Sequence, residues 1–530
     1  MRPSVLVVVA LAISLPPCPA RAADAKTAGA AVVTVITKDG RHTGTLAVTQ
    51  VEVKTDARVV KVPLSDIASL QFGDAADIIR NRQGKAVKGQ VKIDGWTLQE
   101  KDAALPLARG DLRFVIPQAM LPTPPRRGAV VHATTANGMT YHVRLPEKYD
   151  AKVGAPAIVM LHGSNANSAD YLLGISQRWP KLAADYALIG IDGEWPNATE
   201  ADGQPSFNYT YINFVGKSKY KGFPGSDRES PALVAEAVAE IRQQIKLTKV
   251  FVTGHSQGGF LTYSLLMNYP DVFDGAMPIA AGLIFQCEPG AYEDAAIRKL
   301  QRQRPLVILH GDRDPLVAVS MGRAAYGSFL EGGFPMLRLS VTKGAAHAFI
   351  GLPFEEGIRW LESMTSDDPR KLLASAQQAF AGKEYRDALA YLQRAQELDT
   401  AGAQSSAIKT LRQKIEQQAA VPAKSLEAAM AKPDGGNAWV ADFDAFRQQF
   451  EFTDAAATAM AEYAKLRKQH EAPAEKLWAK TRKAFQDGDK EQGYKTCEEI
   501  VSKYYASTYY RYAKQTLDER GSESQAKKIR

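Results

Sequence analysis

The chain has 530 residues, too many for one hydrophobic core, and 45% hydrophobic with 23% charged residues is an ordinary globular balance, so three or four domains are expected. Its 66 basic and 58 acidic side chains leave a net charge of +8. The basic residues are scattered, with no block denser than Lys217-Ser218-Lys219-Tyr220-Lys221; this reads as a solvated surface, and no nucleic-acid partner is expected. Of three cysteines, Cys18 falls in the N-terminal leader, while Cys287 and Cys497 fall in segments assigned to different domains. Two free thiols are expected rather than a disulfide framework. No Cys/His cluster has zinc spacing, and neither metal nor cofactor is expected.

Residues 1–22 read as a signal peptide. Arg2 supplies positive charge, Val5 to Leu15 is an apolar run short for a membrane span, and Ala20-Arg21-Ala22 suits cleavage before Ala23. An exported protein, periplasmic or extracellular, follows, with no span left after cleavage. Residues 31–116 are dense in short alternating strands and hold a repeat of about 45 residues. One copy closes with Val62-Pro63-Leu64-Ser65-Asp66-Ile67, the other with Leu105-Pro106-Leu107-Ala108-Arg109-Gly110-Asp111-Leu112. The expectation is a duplicated module of two small curved β-units, barrel-like and SH3-like in size. Pro-rich residues 117–128 suit a linker.

Residues 129–365 alternate strand and helix patterns. Strands are predicted at Tyr141–Leu145, Ala157–Leu161, Ala187–Ile191, Val250–Thr253, Ala276–Ala280, Leu306–Leu309 and Leu337–Val341. Continuous apolar runs in the middle ones predict a mostly parallel sheet with helices on both faces. The clearest helix runs from Pro231 to Ile245, with Ser230 as N-cap. Between Asp192 and Pro231 lies a long segment with Trp195, Phe207, Tyr209, Tyr211, Phe214, Tyr220 and Phe223. Such a segment is either a lid over a site or aromatic packing.

Gly254-His255-Ser256-Gln257-Gly258-Gly259 follows an apolar strand and precedes a helical run. Strand, tight turn with a central serine, then helix is the context of a nucleophile elbow. An acid and a base are expected downstream in that order. Leu306–Leu309 runs into His310-Gly311-Asp312-Arg313-Asp314-Pro315. Asp314 is the better acid, and Asp312, read as a turn cap, is the alternative. His347, in Gly344-Ala345-Ala346-His347 after the last strand, is the base. The oxyanion donors would be the backbone N–H groups of Gln257, after the nucleophile, and of Ser164, in the loop after Ala157–Leu161. His162 in that loop is read as structural.

Together "LHGSNANSADY", "VTGHSQGG", "LHGDRDPLV" and "GAAHAF" resemble the secreted α/β-hydrolase esterases grouped with polyhydroxybutyrate depolymerases, feruloyl esterases and dienelactone hydrolase-like proteins. The resemblance covers roughly residues 140–361. It implies an α/β-hydrolase fold with Ser256 as nucleophile, His347 as general base then acid, and Asp314 as its orienter. Depolymerases of this group commonly carry Cys where Ser164 stands, so a polyester substrate is not implied.

Beyond Asp368 the strand signal fades, and residues 366–530 read as all-α. Gly382, Tyr385, Ala388, Leu389, Ala395 and Leu398 fall where a tetratricopeptide repeat (TPR) places them, so this stretch resembles one such hairpin. A looser helix pair spans Ala474 to Leu517, around Gly488 and Tyr494, and Pro422 to Gly436 is expected to break the two halves. The region is read as a packing module or a surface for a protein partner. The expected function is a serine carboxylesterase acting on small or polysaccharide-linked esters, feruloyl- or acetyl-esterase-like, through an acyl-enzyme. Two alternatives stay open: a prolyl-oligopeptidase-like peptidase, and a non-catalytic hydrolase-fold scaffold.

Overall fold

The computed structural model describes residues 31–38, 40–82, 85–119, 121, 126–196, 206–209, 230–283, 295–431 and 439–529. The expected leader, Cys287, and Tyr211, Phe214, Lys217, Lys219, Tyr220, Lys221 and Phe223 of the aromatic segment lie outside the described residues. Among the described residues no helix is long and apolar enough to cross a membrane.

The first ten strands are β1 (Ala31–Thr37), β2 (Arg41–Leu46), β3 (Gln50–Lys54), β4 (Val59–Pro63), β5 (Ile67–Gln71), β6 (Asp77–Asn81), β7 (Ala86–Val91), β8 (Thr97–Gln99), β9 (Ala104–Pro106) and β10 (Leu112–Pro117). They form one sheet in the order β4-β3-β7-β6-β5-β10-β1-β2-β8-β9. Adding five to each strand of the first copy, and subtracting five from each of the second, returns the same order reversed. The repeat is therefore real and has a pseudo-twofold axis between β5 and β10. It does not make two separate units, as the sequence suggested. The β3–β4 hairpin of the first copy pairs with β7 of the second, and β8–β9 pairs with β2 of the first. The matching contacts Val53↔Val91 and Leu98↔Leu46 carry the symmetry. Five short strands leave an exposed edge and too little apolar surface to stand alone, and the exchange covers both. One core serves both copies, with Val35, Leu46, Val53, Leu70, Leu98 and Val115 fully buried.

The second sheet positions the chemistry. Its strands are β11 (Val130–Thr134), β12 (Thr140–Arg144), β13 (Ala155–Leu161) and β14 (Ala187–Ile191). The two-residue strands β15 (Trp195–Pro196) and β16 (Phe207–Asn208) pair separately, and the sheet resumes with β17 (Leu247–His255), β18 (Gly275–Ile279), β19 (Leu306–Gly311) and β20 (Leu337–Thr342). The order is β11-β12-β14-β13-β17-β18-β19-β20. Strands β14 to β20 run parallel, and β11 and β12 are antiparallel additions at one edge. Alternate residues serve the two faces: Ile158, Met160, Phe251, Val307 and Leu309 pack to one side, and Ala157, Val159, Leu161, Val252 and Ile308 to the other. All are buried, which explains the continuous apolar runs. The predicted helix is Ser230–Gln244, burying Leu233, Val234, Ala237, Val238 and Ile241. Ser230 sits inside it, its hydroxyl donating to the Glu194 carboxylate.

The helical region opens with the expected hairpin, Pro369–Ala381 and Tyr385–Leu398, in which Ala388 and Ala395 are buried at the crossing. Lys383 takes the left-handed turn, at φ 61°. The break expected over Pro422–Gly436 does not begin at Pro422, because that proline lies inside one helix, Ser405–Met430; residues 432–438, within or beside the expected break, lie outside the described residues. A proline deletes one N–H from the ladder, and here buried Ala419 and Ala423 hold both sides of it in place. Pro473 is likewise internal to Ala457–Gln486. The core of this region is continuous with that of the second sheet: Phe251, Leu309, Phe354, Leu361, Leu389, Ile415 and Phe443 belong to one cluster.

The interface is also ionic. Glu331, at the end of helix Val319–Glu331, receives the Arg511 guanidinium, with Arg467 at 3.4 Å and Arg447 at 4.0 Å. Arg447, at 2% exposure, also bonds Glu451 at 2.7 Å.

Candidate active site

The chemistry gathers at the C-terminal ends of β13, β17, β19 and β20, where an open α/β sheet leaves a crevice. The buried strand β17 runs straight into Ser256, and helix Gln257–Asn268 begins at the next residue. Ser256 adopts φ 53° and ψ −116°, a region costly for any residue with a Cβ and characteristic of functional turns. The turn is this tight because three glycines permit it. A Cβ on Gly258 would lie 2.5 Å from the Leu161 carbonyl oxygen, and one on Gly259 2.7 Å from the Ala281 Cβ. One on Gly254 would strike the Gly258 carbonyl.

Asp314 lies just past β19. Its Oδ1 accepts from the backbone N–H groups of Leu316 and Val317, both at 2.9 Å. Its Oδ2 lies 2.7 Å from His347 Nδ1 and 3.5 Å from His310 Nε2. Burial opposes the charge of this fully covered carboxylate. The hydrogen bonds from His310, His347, Val317 and Leu316 outweigh it and hold the group well below the usual carboxylate range. Asp312 does a different job: its Oδ1 accepts from Gly344 N at 2.6 Å, tying the acid loop to the loop that carries His347. The structure thus brings His347 to Asp314 and not to Asp312. His347 also stands beside the elbow, its ring 4.7 Å from that of His255.

The loop after β13 reaches the serine from the other side. A Cβ on Gly163 would sit 3.6 Å from the Ser256 Cβ. Among the described residues no hydrogen bond engages the backbone N–H of Ser164 or of Gln257, so both expected oxyanion donors are free at the mouth of the turn. His162 is fully buried and uses both ring nitrogens on backbone. Nδ1 lies 2.7 Å from Gly163 O and Nε2 accepts from Gly193 N at 3.1 Å, and the ring stacks on Tyr209 at 4.5 Å.

Three contributors were not singled out by sequence reasoning. The Tyr171 hydroxyl accepts from Gly163 N at 3.1 Å and lies 2.8 Å from His255 Nδ1. The hydroxyl thus bridges the Gly163 amide and the His255 ring. Burial first, and the neighbouring His347 second, push the His255 pKa down to about 4. The signal was present: Asn167 caps helix Ser168–Arg178 through Asp170 N, which puts Tyr171 on its first turn beside the loop. Asn208 and the Gln257 side chain have no such signal. Asn208 exchanges two hydrogen bonds with Asn165, at 3.1 and 3.0 Å, and the Gln257 amide brackets the Tyr209 backbone at 3.1 and 3.3 Å.

Residues 133–304 match the family model described as "Putative esterase". The chain carries a serine carboxylic ester hydrolase domain. The matched stretch includes Ser164, Ser256 and Gln257 and ends before Asp314 and His347. No curated protein matches the chain. Among solved structures, the chain is similar to acyl-protein thioesterase 2 of Zea mays, with 16% identity over 42% of this chain and 97% of that one, at a TM-score of 0.32. It is similar to an acetyl xylan esterase from Aspergillus awamori, with 14% identity over 44% of this chain and 99% of that one, at a TM-score of 0.30. A thermostable esterase shares 15% identity over 62% of this chain and 89% of that one, at a TM-score of 0.32. At those values none of the three bears on the substrate of this esterase domain. Among the described residues no group of His, Cys, Asp and Glu could hold a metal ion.

Proposed function

We propose that this chain is an exported serine carboxylesterase that hydrolyses small or polysaccharide-linked esters through an acyl-enzyme. The observation that carries the reading is the His347–Asp314 pair at 2.7 Å beside a serine held at φ 53°. Ser256 Oγ attacks the ester carbonyl while His347 takes its proton. Charge developing on the carbonyl oxygen meets the N–H groups of Ser164 and Gln257. The alcohol leaves with the proton from His347, and water then repeats the cycle on the acyl-Ser256. Asp314 fixes the imidazole tautomer and stabilises the imidazolium. Localisation in the periplasm or outside the cell rests on the leader pattern of residues 1–22. The TPR-like hairpin supports a role for the helical region as a packing module that can also receive a protein partner.

The test is turnover of p-nitrophenyl acetate, p-nitrophenyl butyrate, methyl ferulate and an aminoacyl p-nitroanilide by the full chain, with Ser256→Ala as control. Ester turnover abolished by Ser256→Ala, with no anilide cleavage, is expected. Equal rates for wild type and variant on every substrate would mean a non-catalytic fold.

A further inference from the structure

Strands β1 and β10 show two faces. Val33, Val35 and Val115 point into the module's own core. The alternate residues Ile36, Phe114 and Ile116 point the other way, and each is 4% exposed. What covers them is Trp195, itself 3% exposed, the residue that opens the aromatic segment of the esterase domain. The docking is close and polar around its edge. Arg41 of β2 donates to Gly138 O at 2.6 Å, and a Cβ on Gly138 would collide with Thr34 Oγ1.

From Trp195 the contacts continue to the reaction centre. Trp195 pairs with Asn208, and Pro196 with Phe207, in the β15–β16 ladder. Asn208 holds Asn165 by its two side-chain hydrogen bonds, and Phe207 N donates to Ala166 O at 2.7 Å. Asn165 is itself at φ 56°, a conformation that needs outside support, and it follows Ser164 directly. One residue further, the Tyr209 backbone is bracketed by Gln257. The strip 206–209 thus holds Gln257 directly and Ser164 through its chain neighbour Asn165.

We propose that the N-terminal β-module holds the oxyanion site in register through Trp195, which acts as a positioning residue for Ser164 and Gln257. The module is then part of the catalytic scaffold rather than a separate binding domain. This rests on the oxyanion reading above. Misplacing donors by a fraction of an ångström weakens the transition state more than the bound ester, because the donors are aimed at the developing oxyanion.

The experiment compares wild type with Trp195→Ala, Trp195→Phe and, on the facing surface, Phe114→Ala. Trp195→Ala and Phe114→Ala are expected to lower kcat for p-nitrophenyl acetate by roughly 10- to 100-fold with KM within about twofold. A boronic-acid transition-state analogue should lose affinity by the same factor, and Trp195→Phe should restore most of the loss. Amide exchange of the peptide covering 162–168 should quicken in both alanine variants, a readout that needs no turnover. A wild type without esterase activity would therefore sink the oxyanion reading, while exchange would still decide the positioning. Unchanged kcat and unchanged exchange in the folded variants would overturn the proposal, as would a loss confined to KM. Should Trp195→Ala not fold, Phe114→Ala decides.

Discussion

Replacing Asp314 by Asn separates geometry from charge in the proposed triad. The side chain keeps its shape, and Oδ1 goes on accepting from Leu316 and Val317 at 2.9 Å. The change falls on the other atom. Where a carboxylate oxygen sat 2.7 Å from His347 Nδ1, an NH₂ now donates. His347 must accept there, so its proton moves to Nε2, the nitrogen that has to take the proton from Ser256. The wrong tautomer typically costs about 10⁴ in kcat, on the order of 5 kcal/mol of transition-state stabilisation. The same NH₂ also faces His310 Nε2, which already donates to Val317 O at 2.9 Å. That donor–donor contact at 3.5 Å adds about 1–2 kcal/mol of lost stability. Stopped-flow hydrolysis of p-nitrophenyl acetate gives kcat and the acylation burst, and urea melts give stability. Asp312→Asn, which loosens only the tie to Gly344, should leave kcat within a few fold. The reasoning fails if Asp314→Asn keeps a tenth of wild-type kcat, or if Asp312→Asn loses as much.

Other outcomes follow from single contacts. Tyr171→Phe removes the partner of both Gly163 N–H and His255 Nδ1; a fall of about 1–3 kcal/mol in urea stability is expected, with kcat reduced more than KM. Burial holds His255 neutral in the fold, with its pKa near 4 against an ordinary value of 6.5. The unfolded chain therefore binds a proton that the folded one refuses between those values, and stability falls as pH drops from about 6.5 to 4, by roughly 3 kcal/mol from this residue. Urea melts of His255→Gln should show a shallower slope across that window; a slope as steep as wild type would refute the assignment. Glu331→Ala takes from Arg511 the carboxylate it pairs with, while Arg447 keeps Glu451 and Arg467 keeps Glu471, an effect of about 3–5 kcal/mol. Limited proteolysis should then release the helical region first, whereas Glu462→Ala, which breaks an exposed pair with Lys465, should leave the digest unchanged.

What could be read from the sequence was whatever has a local period or a fixed order. The apolar runs at Ala157–Leu161, Ala187–Ile191 and Val250–Thr253 became central strands because full burial on two faces leaves no polar alternation to confuse them. Ser256, Asp314 and His347 were legible as a series because strand ends deliver them in chain order, and the structure sets the last two in contact. Their catalytic roles remain the subject of the proposal. Non-local pairing was not legible. Nothing near Val53 announces that its partner is Val91, and a local reading therefore closed each repeat on itself. The helix runs on past Pro422, where a break was expected to begin, because propensity knows nothing of the contacts around Ala419 and Ala423. The Asn165–Asn208 pair joins residues 43 apart, and no local period marks either asparagine.

The exchanged hairpins of the β-module also constrain how this chain becomes a protein. As the N-terminus leaves the ribosome, β3 and β4 can form a hairpin but have nowhere to attach until β7 has been made, and β1 waits for β10. Neither copy can finish ahead of the other, so the module assembles late for its position, through contacts of long sequence separation that slow folding. Until then its strand edges stand open to the same strands of another molecule. A fragment ending between the copies, near Gly73, should therefore be insoluble rather than half as stable. At high concentration, two full chains that trade these hairpins would make a dimer containing no contact absent from the monomer.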